Sequence, residues 1–351
     1  MTAELPTLLL IPTGIGCDQG GYAGDALPVA RLLAAASGCL ITHPNVMNGA
    51  SLYWSDARIQ YVEGWSLDAF ARGALALRPQ RRQRLGLLLD AAMEPELALR
   101  QRQVFEAAGA TLGLDIGPLI STDAPLGVSL SLAESGSSWG SLARPDALLR
   151  AGERLRQAGA TAIAVVARFP EDSSAEALQA YRSGSGVDGL AGAEALISHL
   201  LGRHLGLPCA HAPALAPLPP MAELDPRAAA EELGYTFLAS VLVGLSRAPD
   251  LIKPGQAPLP GDLSIAQVGA VVAPAGALGG EALLSCAARG IPVIAVQSNL
   301  CLLQVGAEQL GLRVHSAPDY SAAAGLVLAL REGLAPGALL RPLPPLEWLA
   351  G

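Results

Sequence analysis

The sequence predicts an α/β fold built on mainly parallel sheet with helices on both faces. Three observations carry that expectation. Short apolar runs recur without polar alternation, as strands buried on both faces do. Each run ends in a Gly-rich or polar turn that leads into an amphipathic segment. Several of those segments stop at a glycine just before the next apolar run, where a left-handed cap is expected. Strand alternating with helix in this way defines the class.

Taken in chain order, Thr7–Ile11 is the first strand and runs into Pro12-Thr13-Gly14-Ile15-Gly16. A helix is expected over Asp25–Ser37, closed by Gly38, before a strand at Cys39–Thr42 and the turn His43-Pro44-Asn45. Leu85–Leu89 ends at Asp90 and is followed by a helix at Pro95–Ala108 with Gly109 as its cap. A helix at Pro145–Ala158, capped by Gly159, leads to the strand Thr161–Val166. Helices follow at Gly189–Leu205 and Arg227–Leu245. Val268–Ala273 turns at Pro274-Ala275-Gly276 into a helix at Glu281–Arg289, closed by Gly290. Ile291–Val296 then ends in Gln297-Ser298-Asn299 before a helix at Leu300–Leu310.

The chain of 351 residues is 51% hydrophobic and 15% charged, enough apolar material for a sizeable core. Its 23 basic residues stand against 31 acidic ones, for a net charge of -8, and aromatics make up only 4%. A nucleic-acid binder would show a basic stripe and stacking platforms, so that class is not expected. Two uncharged stretches, Leu263–Gly280 and Gly290–Ala307, approach membrane-spanning length, but prolines, amides and glycines break both. No membrane segment is expected, and Glu4 without a basic leader argues against a secretory signal. Five scattered cysteines without CxxC spacing read as reduced, mostly buried thiols of a cytoplasmic protein.

The small polar stretch Glu134 to Gly140 suggests a hinge or binding loop. It divides the chain into an N-terminal lobe, 1–140, with one Gly-rich loop and a C-terminal lobe, 141–351, with a second. The two loops sit in similar surroundings. Thr7 to Asn45 and Val268 to Asn299 both read strand, Pro-x-Gly, Gly-Gly, helix, Gly, strand and a polar end with Asn. Any βαβ unit shares much of this pattern. The echo also fits two Rossmann-like lobes whose turns face one cleft.

In open α/β sheets ligands bind beyond the carboxyl ends of the strands. The loop from Gly14 to Asp25 is therefore the first candidate, with Gly14, Gly16, Gly20 and Gly21 letting a ligand approach the backbone. It lacks the Gly-Lys-Ser/Thr of a P-loop and does not fit the dinucleotide fingerprint. Asp25 is either a helix cap or a ligand contact, and Asp18 has no capping role to explain it. His43, Asn45 and Asn48 form a possible acid/base and hydrogen-bonding set on the next strand end. Asp90 with Glu94 could hold a cation or move protons, although Glu94 and Glu96 also suit a helix start.

The run His199, His204, Cys209, His211 has the wrong spacing for one helical metal site, so His211 alone, on a short strand with Cys209, is the better catalytic candidate. Arg247 and Lys253 offer positive charge, and Lys253 is the chain's single lysine. Gly279, Gly280 and Glu281 open the second Gly-rich helix, and Asn299 ends the strand after it. The apolar segment Tyr235–Leu245 suits a core helix and would also suit a homo-oligomer interface.

Several of these motifs give the chain a resemblance to an uncharacterised, mainly cyanobacterial protein family classed as a domain of unknown function. They are Pro12–Gly16 through Gly24-Asp25-Ala26, His43 to Gly49, Ser198-His199-Leu200, Cys209 to Pro213, and Glu231 to Tyr235. The resemblance spans nearly the whole chain and implies a bacterial, soluble protein. It assigns no activity. The residues point to an enzyme acting on a small anionic metabolite held at the Gly-rich loops in an inter-lobe cleft, with His43, His211, Asp18 and Asp90 as catalytic candidates. The alternative is a non-catalytic binding or assembly protein using the same cleft. Reaction, cofactor and metal are not readable.

Overall fold

A computed structural model describes residues 4–48, 56–170, 175–234, 237–343 and 345. Gly49 and Tyr235 of the motifs above lie outside them. Two parallel sheets carry the architecture.

The first sheet has six strands: β1 (Thr7–Leu9), β2 (Leu40–Thr42), β3 (Ile59–Tyr61), β12 (Ala270–Pro274), β13 (Val293–Val296) and β14 (His315–Ala317). Their order is β14-β13-β12-β1-β2-β3, every pair parallel. The chain leaves β1 toward β2 and leaves β12 toward β13, in opposite directions. The crevice between β1 and β12 is thus a topological switch point. The second sheet has the order β10-β9-β5-β6, from β5 (Leu85–Leu89), β6 (Ile116–Ser121), β9 (Ala162–Arg168) and β10 (Cys209–Ala214), again all parallel. Two antiparallel pairs complete the set. The hairpin joins β7 (Val128–Leu132) to β8 (Ser138–Leu142), and β4 (Ala76–Arg78) pairs with β11 (Asp250–Ile252). Residue 140 lies inside β8, and each sheet draws on chain from both sides of it.

The period of two along each strand decides what covers each face. Leu9, Leu40, Val272 and Ile294 point into one core with the helices Leu27–Ser37 and Tyr320–Arg331. Their neighbours Leu8, Ile41, Val271 and Ala295 point into another with the helices Gly64–Ala71 and Glu281–Ala288. Helices therefore cover both faces. The first core continues into the second sheet through Leu85, Leu87, Ala164 and Ala210. The helix Leu238–Leu245 joins them, with Leu238, Val241, Leu242 and Leu245 buried in it. This apolar helix is core. The other face of the second sheet, with Ile163, Val165 and Cys209, packs against the helices Pro145–Gln157 and Ala191–Leu205.

All six apolar runs are strands, and several helix ends differ from expectation. The helix from Pro95 continues to Leu112, because Gly113, not Gly109, takes the left-handed conformation, with φ 67. Arg227–Leu245 is two helices, Pro226–Glu232 and Leu238–Leu245. Only Ala307–Leu310 of the segment 300–310 is helical, since the residues before it form the loop described below. Leu263–Gly280 holds a 3-10 turn, β12 and a helix start. Among the described residues no helix is long and apolar enough to cross a membrane.

Candidate functional site

The loop after β1 is held by side chains far away in sequence. Asn299, buried at the end of β13, accepts the Gln19 N–H at 3.0 Å and donates to the Gln19 carbonyl at 2.9 Å and to Tyr320 Oη at 2.8 Å. Asp18 N–H donates to the Leu300 carbonyl, and Leu302 N–H to that of Ile15. Asn45 donates to the Gly20 carbonyl at 2.6 Å and accepts the Gly24 N–H through its own carbonyl at 2.6 Å. Asp25 is not a helix cap: it accepts the Gly20 N–H and pairs with Arg227, Nε to Oδ2 2.7 Å. Arg227 also donates to the Cys17 carbonyl at 3.1 Å and lies over the Tyr22 ring. Burial raises the Asp25 carboxyl despite that partner. The Ala23 N–H donates to Glu231, whose buried carboxyl is pushed up to about 8.

These bonds show what the expected ligand contacts do here. Gly20 has φ 83, and a Cβ on it would stand 2.4 Å from Ile11, while one on Gly21 would stand 2.1 Å from the Cys17 carbonyl. Both glycines serve the turn itself. Asp18 is exposed. Asn48 is buried and accepts the Tyr61 hydroxyl at 3.0 Å. His43 Nε2 accepts the Ile11 N–H at 3.1 Å, which bridges the ends of β1 and β2. Burial pushes its pKa down to about 4, so the ring stays neutral and its acceptor nitrogen is occupied. His43 thus reaches the loop, but as a structural acceptor.

One stretch of the loop is different. Gly14 and Gly16 have φ 72 and 61. The carbonyls of Gly14, Ile15 and Cys17 are taken by Ser138, Leu302 and Arg227. The amides of Ile15, Gly16 and Cys17 meet no acceptor among the described residues. Successive amides beside left-handed glycines form the kind of concavity that binds anions. A Cβ on Gly16 would touch Gly186, Val187 and Leu302, so this stretch lies against both the segment leading into the helix Ala191–Leu205 and the loop after β13.

On the second Gly-rich turn the helix start is occupied. Asp68 accepts the Ala282 N–H at 3.0 Å, and Glu281 pairs with Arg72. Gly279 packs on Val305, and nothing lies within 4 Å of a Cβ on Gly280. Beside them is a cavity of about 400 Å³ at the carboxyl ends of β12 and β13, lined by Gly276, Gln297, Asn299, Cys301, Gln304, Glu308 and Gln309 among others. Arg247 is exposed after the helix Leu238–Leu245. Lys253 lies over Gly206, at the C-terminal end of the helix Ala191–Leu205. That helix is ~22 Å long, so Lys253 is remote from the site at its other end.

Asp90, at the end of β5, is saturated. Its carboxylate accepts the N–H groups of Ala92 and Leu126, both at 3.0 Å, and of Arg168 at 3.2 Å. It fastens the ends of β5 and β9 to the 122–126 loop. Glu94 pairs with Arg168.

His211 sits among ionisable groups. It shares the parity of Cys209 on β10 and so faces the helix Ala191–Leu205. Glu194 and Ser198, one turn apart there, face it in return. Ser198 Oγ lies 2.8 Å from His211 Nδ1, and Glu194 Oε2 lies 3.5 Å from Nε2. Asp188, accepting the Leu190 N–H at 2.9 Å, joins the cluster. Burial and the Glu194 carboxylate push Asp188 up to about 7, against the pull of the Leu190 and Ala191 amides and His211. Asp188 follows Val187, which touches Gly16, so the cluster borders the open amides of the first loop. The other two histidines of that run go elsewhere: His199 pairs with buried Glu63 at 3.0 Å and His204 with Glu153 at 2.6 Å.

Sequence reasoning named His211 but missed Asp188, Glu194 and Ser198 as its company. The Glu194-x3-Ser198 spacing on a helix was the available signal. It also passed over Cys17 and Cys301, whose sulfurs stand 3.1 Å apart.

A family model described as "Protein of unknown function (DUF3326)" matches residues 6–340. The chain belongs to this family. A Synechococcus sp. protein described as an uncharacterized lipoprotein is 55% identical over 336 residues, covering 96% of this chain and 93% of that one. No solved structure matches the chain.

Proposed function

We propose that this member of the family is an enzyme acting on a small anionic metabolite, with His211 as acid/base group. The observation that carries the reading is the His211 cluster. An imidazole is held by Ser198 on one nitrogen and faces Glu194 with the other, beside an aspartic acid pushed up to about 7. An imidazole and a carboxyl whose pKa burial pushes to about 7, in one cluster, are what proton transfer requires. The open amides of Ile15, Gly16 and Cys17 would take the ligand's anionic end, since the helix start at 281 already holds Asp68. Ser198 is buried and also bonded to carbonyls of its own helix, so it orients the ring and is not the nucleophile.

A second reading, a binding protein, is favoured by the neighbouring cavity, where Gln297, Asn299, Gln304 and Gln309 supply amides and no histidine lines the wall. Net charge -8 and 4% aromatics favour a small-molecule partner over nucleic acid in either case. A cytoplasmic location belongs to the proposal. The relative's lipoprotein description would instead imply a lipid-anchored chain, and cell fractionation decides between the two.

The functional test is incubation of the purified protein with a bacterial small-molecule extract, read by mass spectrometry. A compound consumed by the wild type and not by His211→Asn supports the enzyme. A compound retained unchanged by both supports the binding protein. If nothing is consumed or retained, both readings fail.

A further inference from the structure

Cys17 and Cys301 are 284 residues apart in sequence, yet their sulfurs are 3.1 Å apart between the loop after β1 and the loop after β13. That is closer than two unbonded sulfurs normally approach, and a disulfide needs only ~1 Å more. The bonds from Asp18 to Leu300, Gln19 to Asn299 and Leu302 to Ile15 already hold the two loops in register around the pair. Access is one-sided. Cys301, 7% exposed, lines the cavity of about 400 Å³, whereas Cys17 is 2% exposed, lines no part of it and turns toward the Pro12 carbonyl. The other three cysteines are buried too, and among the described residues none of them bonds to a second thiol.

We propose that Cys17 and Cys301 form a reversible oxidation site, with Cys301 reacting first with a small hydroperoxide that enters the cavity and Cys17 resolving the product. In the first step the Cys301 sulfur attacks one peroxide oxygen. The O–O bond breaks, an alcohol or water leaves, and Cys301 becomes a sulfenic acid. In the second, the Cys17 sulfur attacks the Cys301 sulfur. The S–O bond breaks and water departs with the Cys17 proton. The two thiols lose two electrons and the hydroperoxide gains them. The order of attack agrees with the protonation of the pair. The hydrogen bond from Cys17 holds the Cys301 thiol below its ordinary value, while that bond and burial raise Cys17. The disulfide would tie the loop bearing the open amides to the cavity wall, linking the two candidate ligand regions covalently.

The test is treatment of the whole purified protein with hydrogen peroxide, then alkylation under denaturing conditions and mass spectrometry. The untreated chain should alkylate at all five cysteines. The treated chain should alkylate at only the remaining three, carry a cross-linked peptide containing Cys17 and Cys301, and return to the untreated pattern with a dithiol reductant. Cys17→Ser should leave Cys301 as a sulfenic acid trapped by a cyclic 1,3-dione. Full alkylation of the wild type after peroxide treatment overturns the proposal, as does a cross-link between any other pair. The wild-type result stands whether or not the variant folds.

Discussion

His43 directly follows β2 of the first sheet and His211 lies on β10 of the second, and the protein uses them in opposite ways. His43 spends its acceptor nitrogen on the Ile11 amide and is held neutral by burial. His211 is held between a hydroxyl and a carboxylate, with Asp188 close by. The acids differ in the same sense. Asp90 is saturated by three backbone amides, while Asp188 is pushed toward neutrality by burial and by Glu194. Position at a strand end does not make a residue catalytic. Hydrogen-bonding and protonation capacity left over after the fold is satisfied is what distinguishes the two sets.

The largest effect expected from this contrast is on turnover. With the consumed compound as substrate, His211→Asn should lower kcat/KM by ~10²–10⁴, the usual contribution of a positioned acid/base group. His43→Asn, compared at pH 7, should stay within a few-fold. Equal losses would erase the distinction between them. Next is Asp90→Ala, which strands the buried Leu126 amide and loses two less buried partners, and should cost about 2–4 kcal/mol in denaturant unfolding. A loss under 1 kcal/mol would show that those bonds do not hold the ends of β5 and β9.

A smaller effect separates the groups by pH. The folded-state pKa of His43 lies near 4, below its ordinary 6.5, so the unfolded chain binds the extra proton between those values. Its contribution is present above pH 6.5 and lost as pH falls through that window, by roughly 1–3 kcal/mol. Asp188 acts with the opposite sign. Its pKa is raised from 3.8 to about 7, so stability falls as pH rises across that range. His43→Asn should remove the acid-side loss, and Asp188→Asn should flatten the fall toward neutral pH. Unfolding curves at several pH values read both. The smallest change expected is Asn299→Ala, about 1–2 kcal/mol, because Gln19 is exposed enough for water to replace part of what it loses. A neutral result would mean that the loop after β1 holds its shape without Asn299.

The sheet core was legible because Leu85–Leu89, Ala162–Val166 and Val293–Val296 carry unbroken apolar runs. The edge strands were not. β6 contains Gly117 and Pro118 and is half-exposed, and β14 is three residues of which only Ala317 is buried. The hairpin β7–β8 alternates Ser with apolar residues and sits on the surface, so the stretch around 140 reads as a loop. His211 could be singled out from its strand parity, but its neighbours come from a different element. The wiring of the first loop depends on partners such as Arg227 and Asn299, which stand 202 and 280 residues from theirs. No local pattern encodes such distant pairing.

The central claim is that the ligand sits at the seam around Gly16 rather than in the amide-lined cavity. Two-dimensional NMR on deuterated, isotope-labelled protein, titrated with the compound identified from the extract, tests it directly. The expected result is that the amides of Ile15, Gly16 and Cys17 and the ring of His211 shift together and saturate together. Shifts confined to the side-chain amides of Gln297, Gln304 and Gln309, with the loop and His211 unmoved, would contradict it.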